Sequence, residues 1–173
     1  MNDTLTSTSE DTSADIAIIG MDCQWPEADN PDAYWDLLRK GRCGIRRFES
    51  AQTGDDLVPA RGLLAGAEAF DPAFFGLTPR EAATTDPQQR RFFTCAWRAL
   101  EHAGHAPDDG ERSVGVFAGS GTSGYHERLS ADPEWADSLG DLEILIGNDK
   151  DHLATRLAYL LNLRGPAAPI QTD

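Results

Sequence analysis

This chain of 173 residues predicts an α/β fold, on three observations. Strand-like runs recur at residues 16–19, 114–118 and 167–172. Between them lie stretches whose apolar residues return every three or four positions, the period of a helix with one buried face. The composition is 40% apolar, enough to fill a core at this length. Strands that alternate with helices favour a sheet covered by helices on both faces. No internal repeat of solenoid length is visible.

Taken in order, residues 1–14 are rich in Ser, Thr, Asp and Glu, a composition too polar for a core, so a disordered leader is expected ahead of a domain over 15–173. Ile16, Ala17, Ile18 and Ile19, ended by Gly20, read as a strand buried on both faces. Asn30 before Pro31 marks a helix start, Ala33, Tyr34, Leu37 and Leu38 give its apolar side, and Gly41 stops it. Residues 41–79 read as a loop-rich excursion with room for one short strand, in which Phe70, Phe74 and Phe75 anchor a loop to the core.

The clearest helix follows Asp86. Its carboxylate can cap the first turn, Pro87 fits the first helical position, and Gln89 has the spacing of a capping box. Phe92, Phe93, Ala96, Trp97, Leu100 and Ala103 then recur at helical spacing until Gly104 and Pro107. Residues 114–118 form the next buried strand and open into the glycine-rich 119–124. After a polar stretch containing Pro133, Ile144, Leu145 and Ile146 lead to a helix that Asn148 can cap, with Leu153, Leu157, Leu160 and Leu161 inward. A turn at Arg164-Gly165-Pro166 leads to a last strand over 167–172, in which Pro169 withholds one N–H.

The net charge of −14 would repel nucleic acid and anionic membranes, so neither is an expected partner. No apolar stretch approaches the roughly 20 residues that span a bilayer, and residues 1–14 lack the pattern of a signal peptide, which predicts a cytoplasmic protein. Cys23, Cys43 and Cys95 show neither CxxC pairs nor metal-ligand spacing and read as reduced thiols.

Gly119, Gly121 and Gly124 spell GxGxxG after a strand, with Asp141 and Glu143 near the place of a ribose-binding carboxylate. These acids precede the apolar run 144–146, and no strongly periodic helix follows the glycines, so a loop needing positive φ or close backbone approach is the better reading. Neither Ser120 nor Ser123 has glycine two residues away on both sides, as a nucleophile elbow requires. His102 reads as a solvated helix end, Cys23 as a small packed thiol, and His126 and His152 as isolated. No catalytic set assembles from these residues.

Four stretches together resemble the ketosynthase domains of modular polyketide synthases, within the thiolase-like condensing enzymes. They are Ile16-Ala17-Ile18-Ile19-Gly20-Met21; Phe70-Asp71-Pro72-Ala73-Phe74-Phe75-Gly76 with Pro79-Arg80-Glu81-Ala82 and Asp86-Pro87-Gln88-Gln89-Arg90; Val114-Gly115-Val116-Phe117-Ala118-Gly119; and Gly147-Asn148-Asp149-Lys150-Asp151 with Arg156, Arg164-Gly165-Pro166 and Gln171-Thr172. The resemblance implies the N-terminal half of a thiolase-like αβαβα fold, truncated before the nucleophile helix. It implies decarboxylative Claisen condensation of acyl and malonyl-type units carried on the phosphopantetheine of acyl carrier proteins, with no cofactor bound directly by the chain.

The same resemblance places the nucleophilic cysteine just after Asp173, so no catalytic residue is expected within the chain. It makes Thr122 a lining residue of the acyl pocket, and Ile144 and Asn148 lining residues contributed across a homodimer interface. Arg90 and Arg156 are expected in structural ion pairs. The expected partners are acyl carrier protein and the other half of the ketosynthase or other synthase domains. A second reading is a catalytically inert half-domain that docks structurally in a synthase assembly.

Overall fold

The computed structural model describes residues 15–49, 58–105, 113–136 and 141–171. The expectations for the leader, for Pro107 and for Thr172 fall outside them. The core gathers on two helices and one short parallel strand pair.

Helix α1 (Pro31–Arg39) begins as its sequence dictates, with the Asn30 side chain accepting from the Ala33 N–H at 2.8 Å. Gly41, at φ +63°, carries the chain out of it in a conformation that disfavours other residues. Leu37 is buried, whereas Leu38 is about half exposed, so the apolar face is narrower than expected. Strands β1 (Ile45–Arg47) and β2 (Ala60–Gly62) pair antiparallel, giving two strands where the sequence predicts one.

Helix α2 (Pro79–Thr84) carries a full capping box that apolar spacing does not predict. Thr78 Oγ1 accepts from the Glu81 N–H at 3.2 Å, and Glu81 Oε2 accepts from the Thr78 N–H at 2.7 Å. Helix α3 (Pro87–His102) has the Asp86 cap expected for it, with Asp86 accepting from the Gln88 N–H at 2.7 Å. Phe93 on its inner face is 0% exposed.

Strand β3 (Val116–Ala118) pairs in parallel with β4 (Ala167–Pro169), Val116 opposite Ala167. Helix α7 (Leu153–Leu160) packs against both strands. Leu153, Ala154, Leu157 and Leu161 join Phe93, Phe75, Val116 and Ala118 in one cluster. Val116 and Ala118 face this core, while Phe117 between them is 63% exposed. The period of two along a strand requires this split, so one face of the pair is covered and the other is open.

Two expectations change, and a stretch that the sequence leaves unassigned is helical. Residues 16–19 form no strand, and Ile16 is 95% exposed, because no neighbouring strand among the described residues completes their hydrogen bonds. The polar stretch after residue 124 is helical, as α4 (Tyr125–Ala131) and α5 (Pro133–Ala136). Ile144, Leu145 and Ile146 lie inside helix α6 (Asp141–Asn148), so Asn148 ends that helix and caps nothing after it. Asp149 caps instead, accepting from the Asp151 N–H at 2.9 Å at the head of a 3-10 turn, Lys150–His152, that runs into α7.

Candidate functional site

The C-terminal ends of β3 and β4 open into a cleft of about 580 Å3. Three segments line it: Gly119, Ser120, Gly121 and Thr122 after β3; Lys150; and Ile170 with Gln171 after β4. Ligand sites in parallel α/β sheets lie at this end of the strands, where the connecting loops diverge.

Each segment is held by the local fold. The Ile170 N–H donates to the Ala118 carbonyl at 2.8 Å, extending the ladder past β4. A Cβ on Gly119 would lie 2.4 Å from the Ile170 carbonyl oxygen, so only glycine allows the strands to come this close. Close approach, and not positive φ, therefore explains the first glycine of the GxGxxG pattern. The dinucleotide reading fails on topology: the glycines lead to α4, α5 and α6 rather than to one helix and a parallel strand, and Asp141 and Glu143 lie within α6.

On the other side of the cleft mouth, Lys150 Nζ donates to Asp151 Oδ1 at 2.9 Å, and Gln171 Nε2 donates to the same oxygen. The bond from Lys150 is the first cause holding the Asp151 carboxyl below its ordinary range. Among the described residues, no three His, Cys, Asp or Glu side chains come together as a metal site.

The residues singled out in the sequence separate. Thr122 lines the cleft and is exposed. Ile144 is buried at 5% exposure on α6. Asn148 Nδ2 donates to the Thr84 carbonyl at 2.9 Å and the Ile144 carbonyl at 2.8 Å, joining the end of α6 to the end of α2. His102 is more than a solvated end, since its Nδ1 accepts from the Met21 N–H at 3.0 Å.

Arg156 is a hydrogen-bond hub rather than a simple ion-pair residue. It donates to Gln89 Oε1 at 3.2 Å and Thr85 Oγ1 at 2.8 Å, and its guanidinium lies 5.7 Å from the Phe93 ring centroid. Burial lowers its pKa, and the Glu81 charge works against that. Arg90 Nε is buried with no hydrogen-bond partner among the described residues.

Two residues with larger roles than their sequence positions announce are Asp86 and Gln89. Asp86 Oδ2 accepts from the Ser123 hydroxyl, one residue beyond Thr122. Gln89 makes no capping box; its Nε2 donates to the Asp149 carbonyl at 3.2 Å, one residue before Lys150. Spacing alone assigns Gln89 to a cap, whereas its 2% exposure requires partners in the interior.

Comparison with known proteins agrees with this arrangement. Residues 13–173 match the family model described as Beta-ketoacyl synthase, N-terminal domain. The chain is 37% identical over 172 residues to a phenolphthiocerol/phthiocerol polyketide synthase of Mycobacterium tuberculosis, covering 91% of this chain and 11% of that protein. It is 38% identical over 161 residues to Erythronolide synthase EryA3 of Saccharopolyspora erythraea, covering 91% of this chain and 5% of that one. The chain thus spans a small part of the length of these relatives.

Among solved structures, the ketosynthase from module 1 of the bacillaene synthase of Bacillus amyloliquefaciens superposes with a TM-score of 0.73 at 28% identity, over 90% of this chain and 26% of that one. The ketosynthase from module 6 of the bacillaene synthase of Bacillus subtilis gives 0.65 at 35% identity, over 89% and 25%. The mixed helices and strands are therefore part of a thiolase-like fold, and the chain belongs to the β-ketoacyl synthase family as an N-terminal ketosynthase domain of modular polyketide synthases.

Proposed function

We propose that this chain supplies the N-terminal part of a ketosynthase that performs decarboxylative Claisen condensation between acyl and malonyl-type units on acyl carrier proteins. The observation that carries the reading is the meeting of the loop at Thr122 with Ile170 and Gln171 in one cleft, within a chain of this family. In the proposed reaction, a cysteine thiolate following Asp173 attacks the acyl thioester and releases the carrier's phosphopantetheine thiol. Loss of CO2 from the malonyl unit leaves a carbanion, which attacks the acyl-cysteine carbonyl and returns the thiolate.

In this reading the chain contributes no reacting group. Thr122 lines the acyl pocket, and α6 brings Ile144 and Asn148 toward the pocket of the second protomer of a homodimer. The exposed apolar residues of α6, Leu142 and Leu145, support that contact. No helix among the described residues is long and apolar enough to cross a membrane, and cytoplasmic synthase domains are the proposed surroundings.

The test joins this chain to a ketosynthase C-terminal half and incubates the product with acyl-loaded carrier protein. Intact and peptide mass spectrometry should find the acyl group on a cysteine outside residues 1–173, and the isolated chain should remain unmodified. Acylation of Cys23, Cys43 or Cys95, or no transfer by the joined protein, overturns the proposal.

A further inference from the structure

We propose that Asp86 and Gln89 are positioning residues that brace two of the three cleft segments from the first turn of α3, and so set the cleft's width for the acyl chain. This deepens the proposed function and rests on reading the cleft as an acyl pocket.

A helix cap needs one carboxylate oxygen, and Asp86 has two. Its Oδ1 accepts from the Gln88 N–H at 2.7 Å, which completes the cap. Its Oδ2 reaches across the fold to accept from Ser123. The Ser123 oxygen in turn accepts from the Tyr125 N–H at 3.2 Å, so this hydroxyl is fixed as donor on one side and acceptor on the other. Its neighbour is Thr122, and the lining loop is thereby tied at its far end to α3, having left β3 at its near end.

Gln89 does the same for the second segment. Its Nε2 donates to the Asp149 carbonyl at 3.2 Å, and its Oε1 accepts from Arg156 at 3.2 Å, so the amide cannot turn over without losing both bonds. Lys150 follows Asp149 directly. The Asp86 N–H adds a third tie, donating to the Gly147 carbonyl at 2.9 Å. The remaining cleft segment, Ile170 and Gln171, has no direct bond from Asp86 or Gln89; it is held by the Ala118 carbonyl and by Asp151, which follows Lys150.

Burial separates this role from surface capping. Asp86 is 5% exposed and Gln89 is 2% exposed, although a capping residue alone works in water. Buried polar groups constrain geometry strongly when every member is satisfied, because each partner lost leaves an unpaired group in the interior. The constraint here falls one residue away from the lining at both Ser123 and Asp149.

The variants that test this leave the α3 cap intact. Ser123→Ala removes the bond to Asp86, and Ser123→Thr restores a hydroxyl. Gln89→Glu keeps an acceptor for Arg156 but turns the donor toward Asp149 into an acceptor. In hydrogen exchange on the 173-residue chain, Ser123→Ala should speed exchange in residues 119–124 and Gln89→Glu in residues 148–152, with α7 and β1 unchanged. In a ketosynthase containing the chain, Ser123→Ala should shift the ratio of kcat/KM for long over short acyl-carrier thioesters by about 5-fold or more, with recovery in Ser123→Thr. Uniform acceleration of exchange, or a ratio unchanged while the wild type is acylated, overturns the inference. If the wild type accepts no acyl group, the reading of the site fails, and the exchange pattern still decides the bracing.

Discussion

Phe93 is the residue around which the core closes. It is 0% exposed, its ring lies 6.1 Å from that of Phe75, and Arg156 covers it. Phe93→Ala would remove the ring and leave the Arg156 guanidinium over a void, at a cost of about 3–5 kcal/mol, seen as a lower denaturation midpoint in urea. Its position is legible from helical spacing. Cys95, two residues along α3, is less so: burial first, and then its hydrogen bond to Asp22, push its thiol up to about 11. A folded pKa above the unfolded one means that its contribution to stability is complete below the ordinary thiol range and is lost as pH rises through about 11. At pH 8 it should react with iodoacetamide about two orders of magnitude more slowly than a free cysteine, as read by peptide mass mapping over time. The sequence shows a thiol at this position but not the carboxylate that folding brings to it.

At the scale of elements, those with long periodic patterns are readable. The last turn of α3 and the inward leucines of α7 follow from apolar spacing, and the α1 and α3 starts from Asn30-Pro31 and Asp86-Pro87. Short runs are not. Ile144, Leu145 and Ile146 are too few to distinguish a strand from a buried helix by period, and the contacts of α6 with α2 and α4 decide it. The six-residue α2 has no apolar period at all and depends on its capping box. Both the backbone and the side-chain bonds from Thr78 hold the Glu81 carboxyl below its ordinary range. That stabilisation is present above the ordinary glutamate pKa and is lost as pH falls through the lowered value. Thr78→Ala should cost about 1 kcal/mol at neutral pH and shrink this acid-dependent component without abolishing it, because the backbone N–H at residue 78 still donates to Glu81, measured by denaturation at about pH 7 and about pH 3. Gly119→Ala should separate β4 from β3 and expose the amide of Ile170 to exchange.

For the whole molecule, the alternation of apolar runs discloses the class of fold, and the motifs disclose its family. They do not disclose which surfaces stay open. Ile16, Ile18, Phe117 and Tyr159 are exposed at 95%, 81%, 63% and 85%, and a groove between α3 and β3 is lined by Ile19, Phe92, Leu100 and Val116. Apolar surface of this kind drives association in water. The 173-residue chain should therefore scatter light as a species larger than a monomer at micromolar concentration. Ile18→Ser with Phe117→Ser should shift it toward the monomer without loss of helical circular dichroism. The net charge of −14 opposes association only within about a Debye length, so added salt should increase the larger species.

Pro169 gives the parallel pair a direction. The Pro166 carbonyl and the Ile170 N–H both bond to β3, so the period of two turns the nitrogen of Pro169 away from it, and the pairing loses nothing. On the far side of β4 that nitrogen has no hydrogen to offer. A strand arriving there would meet a missing rung, whereas one arriving beside β3 would not. A single ring-closed nitrogen thus weakens the far side of β4 as a place for a further strand, whereas β3, with no proline, keeps every N–H on its own open side.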